Sequence, residues 1–89
     1  MIFISLFKWK KKPTKDVLDE FEKRSDDLIK EYGIKSIGRY WVMGRYDSVG
    51  IFDAPDVATM MKFNVARSDT LDPETLVAIP REDILKMLG

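Results

Sequence analysis

The centre of the chain carries a short turn between two segments that favour β-strand. Residues 37–43 are rich in β-branched and aromatic side chains and end at Gly44, and a second run of this kind, residues 48–52, follows Asp47. Two such runs around a short glycine-containing segment are typical of a β-hairpin. Because the hairpin fixes two antiparallel strands in the middle of 89 residues, the flanking segments must pack around it.

The flanking segments add one strand and one helix on each side of the hairpin. Thr14 is a suitable N-cap for the first helix, and Gly33 is a suitable residue just beyond its C-terminal end. Residues 67–73 are predicted to be a polar loop. The predicted elements are strands over residues 2–9, 34–43, 47–54 and 74–79, helices over residues 14–32 and from Pro55 and Asp56 onward, and a short C-terminal helix over residues 81–88.

The order β-α-β-β-α-β predicts an α+β fold of the ferredoxin-like type with a four-stranded antiparallel sheet. Right-handed crossovers place both main helices on one face of this sheet. The first strand should be central and pair with the third, and the second and fourth strands should be edges. A chain of this length is expected to form a single domain over residues 1–89.

The first strand is apolar on both sides. Ile2, Ile4 and Leu6 alternate with Phe3 and Phe7, so each face of the sheet needs a cover. The helices cover only one face. A second copy of the same sheet is the simplest cover for the other, and we expect a homodimer, or an assembly of dimers, formed through the open sheet face.

The other elements predict which side chains share a face. In the second strand, Ile37, Arg39, Trp41 and Met43 should share one face, and Ser36, Gly38, Tyr40 and Val42 the other. The inner stripe of the second helix is expected to contain Val57, Met60, Met61, Asn64 and Val65.

Composition excludes several classes of site. The chain has no cysteine and no histidine, so thiol nucleophiles, zinc–thiolate centres and histidine bases are excluded. Fifteen basic and fifteen acidic side chains cancel, which gives no indication of nucleic-acid binding. No apolar run approaches the ~20 residues of a membrane span. We expect a soluble cytoplasmic protein with no cofactor, no metal and no membrane contact.

The hairpin sequence resembles a known signature. Residues 40–47, Tyr-Trp-Val-Met-Gly-Arg-Tyr-Asp, are similar to the Gly-x-Tyr-Asp motif of the GYD domain family, and residues 52–56 and 74–76 also look like that family. The chain differs from the family at Met60, Met61, Phe63 and Arg67, where alanine and glycine are usual. The resemblance implies a ferredoxin-like fold of the dimeric α-β barrel type. It implies no particular reaction, because the family is largely of unknown function.

The residues of the hairpin are the candidates for chemistry. Tyr46 and Asp47 are the candidate catalytic residues, as proton donor and base, and Arg45 is a candidate carboxylate clamp. Asp47 is also suited to a structural role, in which it accepts backbone N–H hydrogen bonds and Gly44 supplies a positive φ. Asp69, Asp72 and Glu74 are oxygen ligands for a hard cation or, alternatively, solvated loop residues.

Three strand residues complete the set of candidates. Tyr40 and Trp41 should lie on opposite faces, either as packing or as groups that stack on a ligand. Arg39 on a covered face needs a carboxylate partner, from the protein or from a ligand.

Two functions remain open at this point, beside the third possibility of a purely structural subunit. The first is a non-catalytic homo-oligomeric module that binds a small molecule or a partner protein. The alternative is a cofactor-independent enzyme of the dimeric α-β barrel type that acts on a small phenolic or keto substrate. An enclosed cavity containing Tyr46 and Arg39 would favour a ligand-binding or catalytic role, and a filled core would favour the interaction role.

Overall fold

The computed structural model describes residues 1–89 and contains four strands and three helices. In chain order these are β1 (Ile2–Trp9), α1 (Lys15–Glu31), β2 (Lys35–Trp41), β3 (Ser48–Asp53), α2 (Val57–Ala66), β4 (Leu71–Ala78) and α3 (Arg81–Leu88). None of the three helices has the combination of length and apolar character that crossing a membrane requires.

The four strands form one antiparallel sheet in the order β2-β3-β1-β4. The predicted topology is therefore confirmed, with β1 in the centre next to β3 and with β2 and β4 at the edges. Both α1 and α2 pack on the same face, since Phe21 of α1 contacts Trp9 and Phe63 of α2 contacts Phe52. This is the ferredoxin-like α+β arrangement.

Strand alternation separates the two faces of the sheet. On the helix side, Phe3 and Phe52 are 1% exposed and form the centre of the core with Phe63 of α2. The other side, which we call the open face, carries Ile4, Leu6, Tyr40, Val49, Ile51 and Leu76. No helix covers it, and Tyr40 and Leu76 are among the exposed large apolar residues.

Helix α1 begins and ends where the sequence predicts. The Val17 N–H donates a hydrogen bond of 3.3 Å to the Thr14 hydroxyl oxygen, which is the expected N-cap contact. Gly33 adopts a φ of 67° just beyond the helix, in the left-handed region that glycine enters without a steric penalty. The buried stripe is Phe21, Ser25 and Ile29.

The predicted inner stripe of α2 is correct at Met60 and Asn64 and wrong at Val57, Met61 and Val65. Met60 and Phe63 are buried, whereas Met61 is 60% exposed and Val65 is 68% exposed. Asp56 is the N-cap, so Pro55 precedes the helix and does not belong to its first turn. Apolar residues surround this helix on every side, and their pattern alone does not select the buried face.

Two boundaries also differ from the prediction. Strand β4 begins at Leu71, within the segment predicted to be a loop, and includes Pro73. Proline is tolerated there because β4 is an edge strand, where an N–H can be missing without loss of a ladder partner. A register shift between Ser36 and Gly38 in β2 places Ser36 opposite Phe52, on the helix side, rather than on the same face as Gly38.

Candidate functional site

A cavity of about 290 Å³ lies between α1 and the sheet. We call it the α1 cavity. Its walls are rich in aromatic side chains but also carry charged and hydroxyl groups, and they come from all four strands, α1 and the residue after α2. The lining residues are Phe7, Trp9, Phe21, Glu22, Ser25, Arg39, Tyr40, Trp41, Ser48, Val49, Gly50, Phe52, Arg67 and Leu71. The interior on this side of the sheet is therefore incompletely filled.

Arg39 lies at the wall of the α1 cavity and links β2 to α1. Its two terminal nitrogens donate hydrogen bonds of 2.8 Å to the carboxylates of Glu22 and Asp26, and its Nε–H donates to the Ser36 hydroxyl at 3.2 Å. The predicted pairing of this arginine with protein carboxylates is confirmed. Its side chain stays 32% exposed, so a role in ligand binding stays a prediction.

Tyr40 and Trp41 lie on opposite faces of the sheet, as their alternation predicts. The Trp41 ring is on the helix side, 5.8 Å from the Trp9 ring between centroids, and both indoles line the α1 cavity. The Tyr40 ring is 58% exposed, and its Cε2 atom lies 3.0 Å from the position that a Cβ on Gly38 would take. Both residues border the α1 cavity, and because strand alternation directs the Tyr40 side chain to the open face, Trp41 is the one whose ring we expect a ligand there to meet.

The sequence prediction missed Arg67, which is the least expected residue of the site. The sequence predicts a polar loop at this position, yet Arg67 is 3% exposed and its guanidinium carbon lies 3.6 Å from the centre of the Phe63 ring. Phe7 and Phe21 flank the same group at 5.1 and 5.7 Å. Its Nε–H donates to the Phe63 carbonyl at 3.4 Å, and Nη2 has no protein partner.

Burial lowers the pKa of the Arg67 guanidinium. Desolvation is the main cause that lowers the pKa of its guanidinium to about 9, and the nearby Arg39 lowers it further while Glu22 opposes the shift. At neutral pH the group is still a cation. It is held against three aromatic rings, which stabilise a positive charge, but it forms no salt bridge.

The remaining hairpin candidates lie outside the α1 cavity. Asp47 accepts a hydrogen bond of 2.9 Å from the Trp9 N–H through Oδ2, so this carboxylate does bind a backbone N–H, but one of β1 rather than of its own turn as predicted. Tyr46 donates to the Glu74 carboxylate, and this hydrogen bond is the main cause that raises the pKa of the tyrosine. Arg45 lies over the Tyr46 ring at 5.8 Å.

The structure separates Arg39 from the candidate proton-transfer groups, whereas Arg45, the candidate carboxylate clamp, stays beside Tyr46. Arg39 lines the α1 cavity, whereas Arg45, Tyr46 and Asp47 do not. Gly44 has a φ of 112°, which confirms its predicted positive φ.

The acidic residues considered as cation ligands are engaged separately. Asp69 pairs with Arg24 at 3.0 Å, Asp72 with Lys10 at 3.8 Å, and Glu74 with Tyr46. The structure contains no group of three or more acidic side chains arranged to hold a metal ion.

Known proteins show similarity over most of the chain. A "Glutamine synthetase and cystathionine beta-lyase binding protein" from Thermus thermophilus is 30% identical over 66 residues, which cover 72% of this chain and 70% of the relative. The crystal structure of 30S ribosomal protein S6 from Thermotoga maritima superposes with a TM-score of 0.51 at 16% identity, covering 97% of this chain and 92% of that one. At this identity the second likeness shows the fold alone.

The family assignment rests on a match that spans nearly the whole molecule. The sequence model of the GYD domain matches residues 3–88, from β1 to the last residue of α3. The resemblance first indicated by residues 40–47 is confirmed, and the chain belongs to the GYD domain family.

Proposed function

We propose that this protein is a homo-oligomeric binding module that pairs with a second copy through the open face of its sheet. The observation that carries the proposal is the row of apolar side chains across all four strands of an uncovered face. Leu6 is opposite Val49, Ile4 is opposite both Ile51 and Leu76, and Tyr40 extends the row on β2.

A second copy is the occupant that such a face fits best. A two-fold interface brings the same patch from both subunits together, so an apolar patch always meets an apolar patch. In the register of β1 and β4, charged side chains on this face lie toward one end, at Glu74, Lys8 and Asp72. Two sheets stacked in this way make the eight-stranded dimeric α-β barrel that the family resemblance implies.

The separation of chemical groups in the monomer supports binding over catalysis. A proton-transfer site needs its acid or base within hydrogen-bonding reach of the bound substrate. Tyr46 and Asp47 are bonded to Glu74 and to the Trp9 N–H, outside the α1 cavity. No observation favours the alternative of a cofactor-independent enzyme acting on a phenolic or keto substrate.

Self-association is tested with one variant on the open face and one matched control. Leu76 is 48% exposed and Met61, on α2, is 60% exposed, so a folded monomer accepts glutamate at either position. We expect light scattering at micromolar concentration to give at least twice the 10.3 kDa chain mass for the wild type and for Met61→Glu, and the chain mass for Leu76→Glu. A monomeric wild type, or an unchanged assembly of Leu76→Glu, would contradict the proposal.

The Thermus relative suggests the class of partner. That protein is described as binding two enzymes, glutamine synthetase and cystathionine β-lyase, and we propose that this chain binds an enzyme partner of the same kind. The test measures binding of each purified enzyme to the immobilised protein by biolayer interferometry. Saturable binding of at least one enzyme is expected, with an unrelated protein of similar charge as control. Failure of both enzymes to bind at micromolar concentration would refute this part, whatever the oligomeric state.

A further inference from the structure

Arg67 is a buried cation whose charge the protein leaves unpaired. A buried ion normally has a counter-ion, because removal of a charge from water is costly. Arg67 has three aromatic rings and one carbonyl oxygen around it, and its Nη2 points to no protein acceptor. Arg24 and Arg39 are paired with carboxylates, and Arg67 is the one buried arginine of the chain.

Two more buried donors without protein partners line the same cavity. They are the Ser25 hydroxyl on α1, whose residue is 2% exposed, and the Trp9 indole Nε1–H on β1. Phe21 connects the three groups, since its ring lies 5.3 Å from the Trp9 ring and 5.7 Å from the Arg67 guanidinium carbon, and Ser25 follows one helical turn later. Three residues that line the α1 cavity therefore each carry a buried donor that no protein acceptor satisfies.

The remaining walls of the cavity indicate the size and polarity of the rest of the ligand. Most of the surface near Arg67 is aromatic, and the volume of about 290 Å³ lies at the lower end of the ~300–1,000 Å³ typical of ligand sites. We propose that the α1 cavity binds a small organic carboxylate with an apolar or aromatic body, whose carboxylate meets Arg67, Ser25 and Trp9. This site goes beyond the proposed protein-binding function and lies on the opposite face of the sheet.

The donor set favours a carboxylate over a phosphate. A guanidinium presents parallel N–H groups that match the two oxygens of a carboxylate. The two further donors can then bond to the remaining lone pairs of the carboxylate oxygens. A phosphate monoester brings three terminal oxygens and up to two charges, which one unpaired arginine and two neutral donors satisfy poorly. Arg39 is already paired with Glu22 and Asp26.

The two tryptophans of the chain provide a direct readout, because both line the α1 cavity. We would titrate the protein with benzoate, phenylacetate and 3-phenylpropionate, each beside its own amide and beside phenyl phosphate, and follow tryptophan fluorescence and melting temperature. At least one carboxylate should give a saturable fluorescence change and raise the melting temperature. Its amide and phenyl phosphate should bind at least about tenfold more weakly, the loss expected when a charge-assisted pair is absent.

Arg67→Met tests the assigned contact, and Arg24→Met is the matched control. Arg24 is an exposed arginine paired with Asp69 and does not line the α1 cavity. We expect Arg67→Met to bind the carboxylate about 10- to 100-fold more weakly while it melts at or above the temperature of the ligand-free wild type, because it removes an unpaired buried charge. Arg24→Met should bind like the wild type.

Three outcomes would overturn the assignment. The first is that none of the three acids binds saturably up to about 10 mM, a concentration at which a ligand with a millimolar Kd is largely bound. The second is equal binding of an acid and its amide. The third is unchanged binding of the acid by Arg67→Met. The acid–amide comparison uses only wild-type protein, so it decides the question even if Arg67→Met does not fold. None of these results depends on the oligomeric state, which tests the proposed function separately.

Discussion

The carboxylate of Asp47 connects the central hairpin to β1, and its removal should destabilise the fold. Oδ2 accepts a hydrogen bond of 2.9 Å from the Trp9 N–H in a partly buried position. In Asp47→Ala that N–H loses its acceptor, whereas the backbone bonds of residue 47 with Phe7 and Val42 remain. The expected cost is therefore that of one charge-assisted hydrogen bond.

The size of the effect follows from this single contact. Hydrogen bonds to charged groups contribute about 1.5–3 kcal/mol, and partial burial places Asp47 in the lower half of that range. In a chain of this size, 1 kcal/mol moves the melting temperature by about 4–8 °C, so a decrease of about 6–18 °C is expected. Asp47→Asn keeps a neutral acceptor and should lose about half as much.

Circular dichroism melts at one fixed protein concentration measure the effect, since self-association makes the melting temperature depend on concentration. Asp72→Ala is the control, because its carboxylate is 70% exposed and lies 3.8 Å from Lys10 Nζ. Exposed ion pairs of this kind contribute about 0.2–1 kcal/mol. If Asp47→Ala melts at or above the wild-type temperature in the same oligomeric state, the structural role is refuted. Asp47 should then be treated as a residue of an active or binding site.

Two further predictions concern α2. Phe63→Ala should lower the free energy of unfolding by about 3–5 kcal/mol, because this ring is fully buried against Phe52. Met61→Ala, on the exposed side of the helix, should change the free energy of unfolding by less than about 0.5 kcal/mol. Equal effects of the two variants in urea titrations would show that the buried face of the helix is misassigned. Hydrogen bonds from Thr59 lower the pKa of the N-cap Asp56 below its ordinary 3.8, so the stability that Asp56 contributes is present above pH 3.8 and is lost as the pH falls through the folded-state pKa. Asp56→Ala should accordingly melt below the wild type at pH 6, and the difference should shrink toward pH 2; a difference that is constant with pH would contradict this assignment.

The sequence was sufficient for the sheet and for residues whose partners are local or alternate regularly. The order of strands and helices determined the position of β1 because few antiparallel arrangements satisfy right-handed crossovers. Thr14 and Gly33 were identifiable as helix ends because the capping chemistry is local. Period-two alternation placed Tyr40 and Trp41 on opposite faces, and the apolar neighbours of Arg39 indicated that it needed a carboxylate.

Arg67 was missed because its environment is tertiary. In the sequence it opens the polar run Arg-Ser-Asp-Thr, which is typical of a solvated loop. A different helical register would have found it, since residues 60, 63, 64 and 67 follow the i, i+3, i+4, i+7 spacing of one helix face. The sequence does not favour that register, because arginine is rarely found in a buried stripe. The aromatic rings that surround the guanidinium come from β1, α1 and α2, and no local pattern shows that they converge.

The register shift in β2 could not be predicted from the sequence, for a related reason. A bulge changes which side chains face the core without changing the composition of the strand. Ser36 was expected on the same face as Gly38, yet the register shift between them brings its hydroxyl to the Nε–H of Arg39. The consequence reaches the candidate site, because this contact helps to hold Arg39 toward Glu22 and Asp26 on α1.

The alternation of one sheet explains how so short a chain can carry two independent surfaces. Leu6 and Phe7 are neighbours in β1, but Leu6 belongs to the open face and Phe7 packs beneath the Arg67 guanidinium. In β2, Tyr40 lies on the open face and Trp41 lines the α1 cavity. Because successive side chains of a strand point to opposite sides, we expect a charge placed on the open face to disturb the proposed contact with a second copy and to leave the aromatic walls of the cavity in place. The proposed protein binding and the proposed carboxylate binding should therefore be separable by single substitutions.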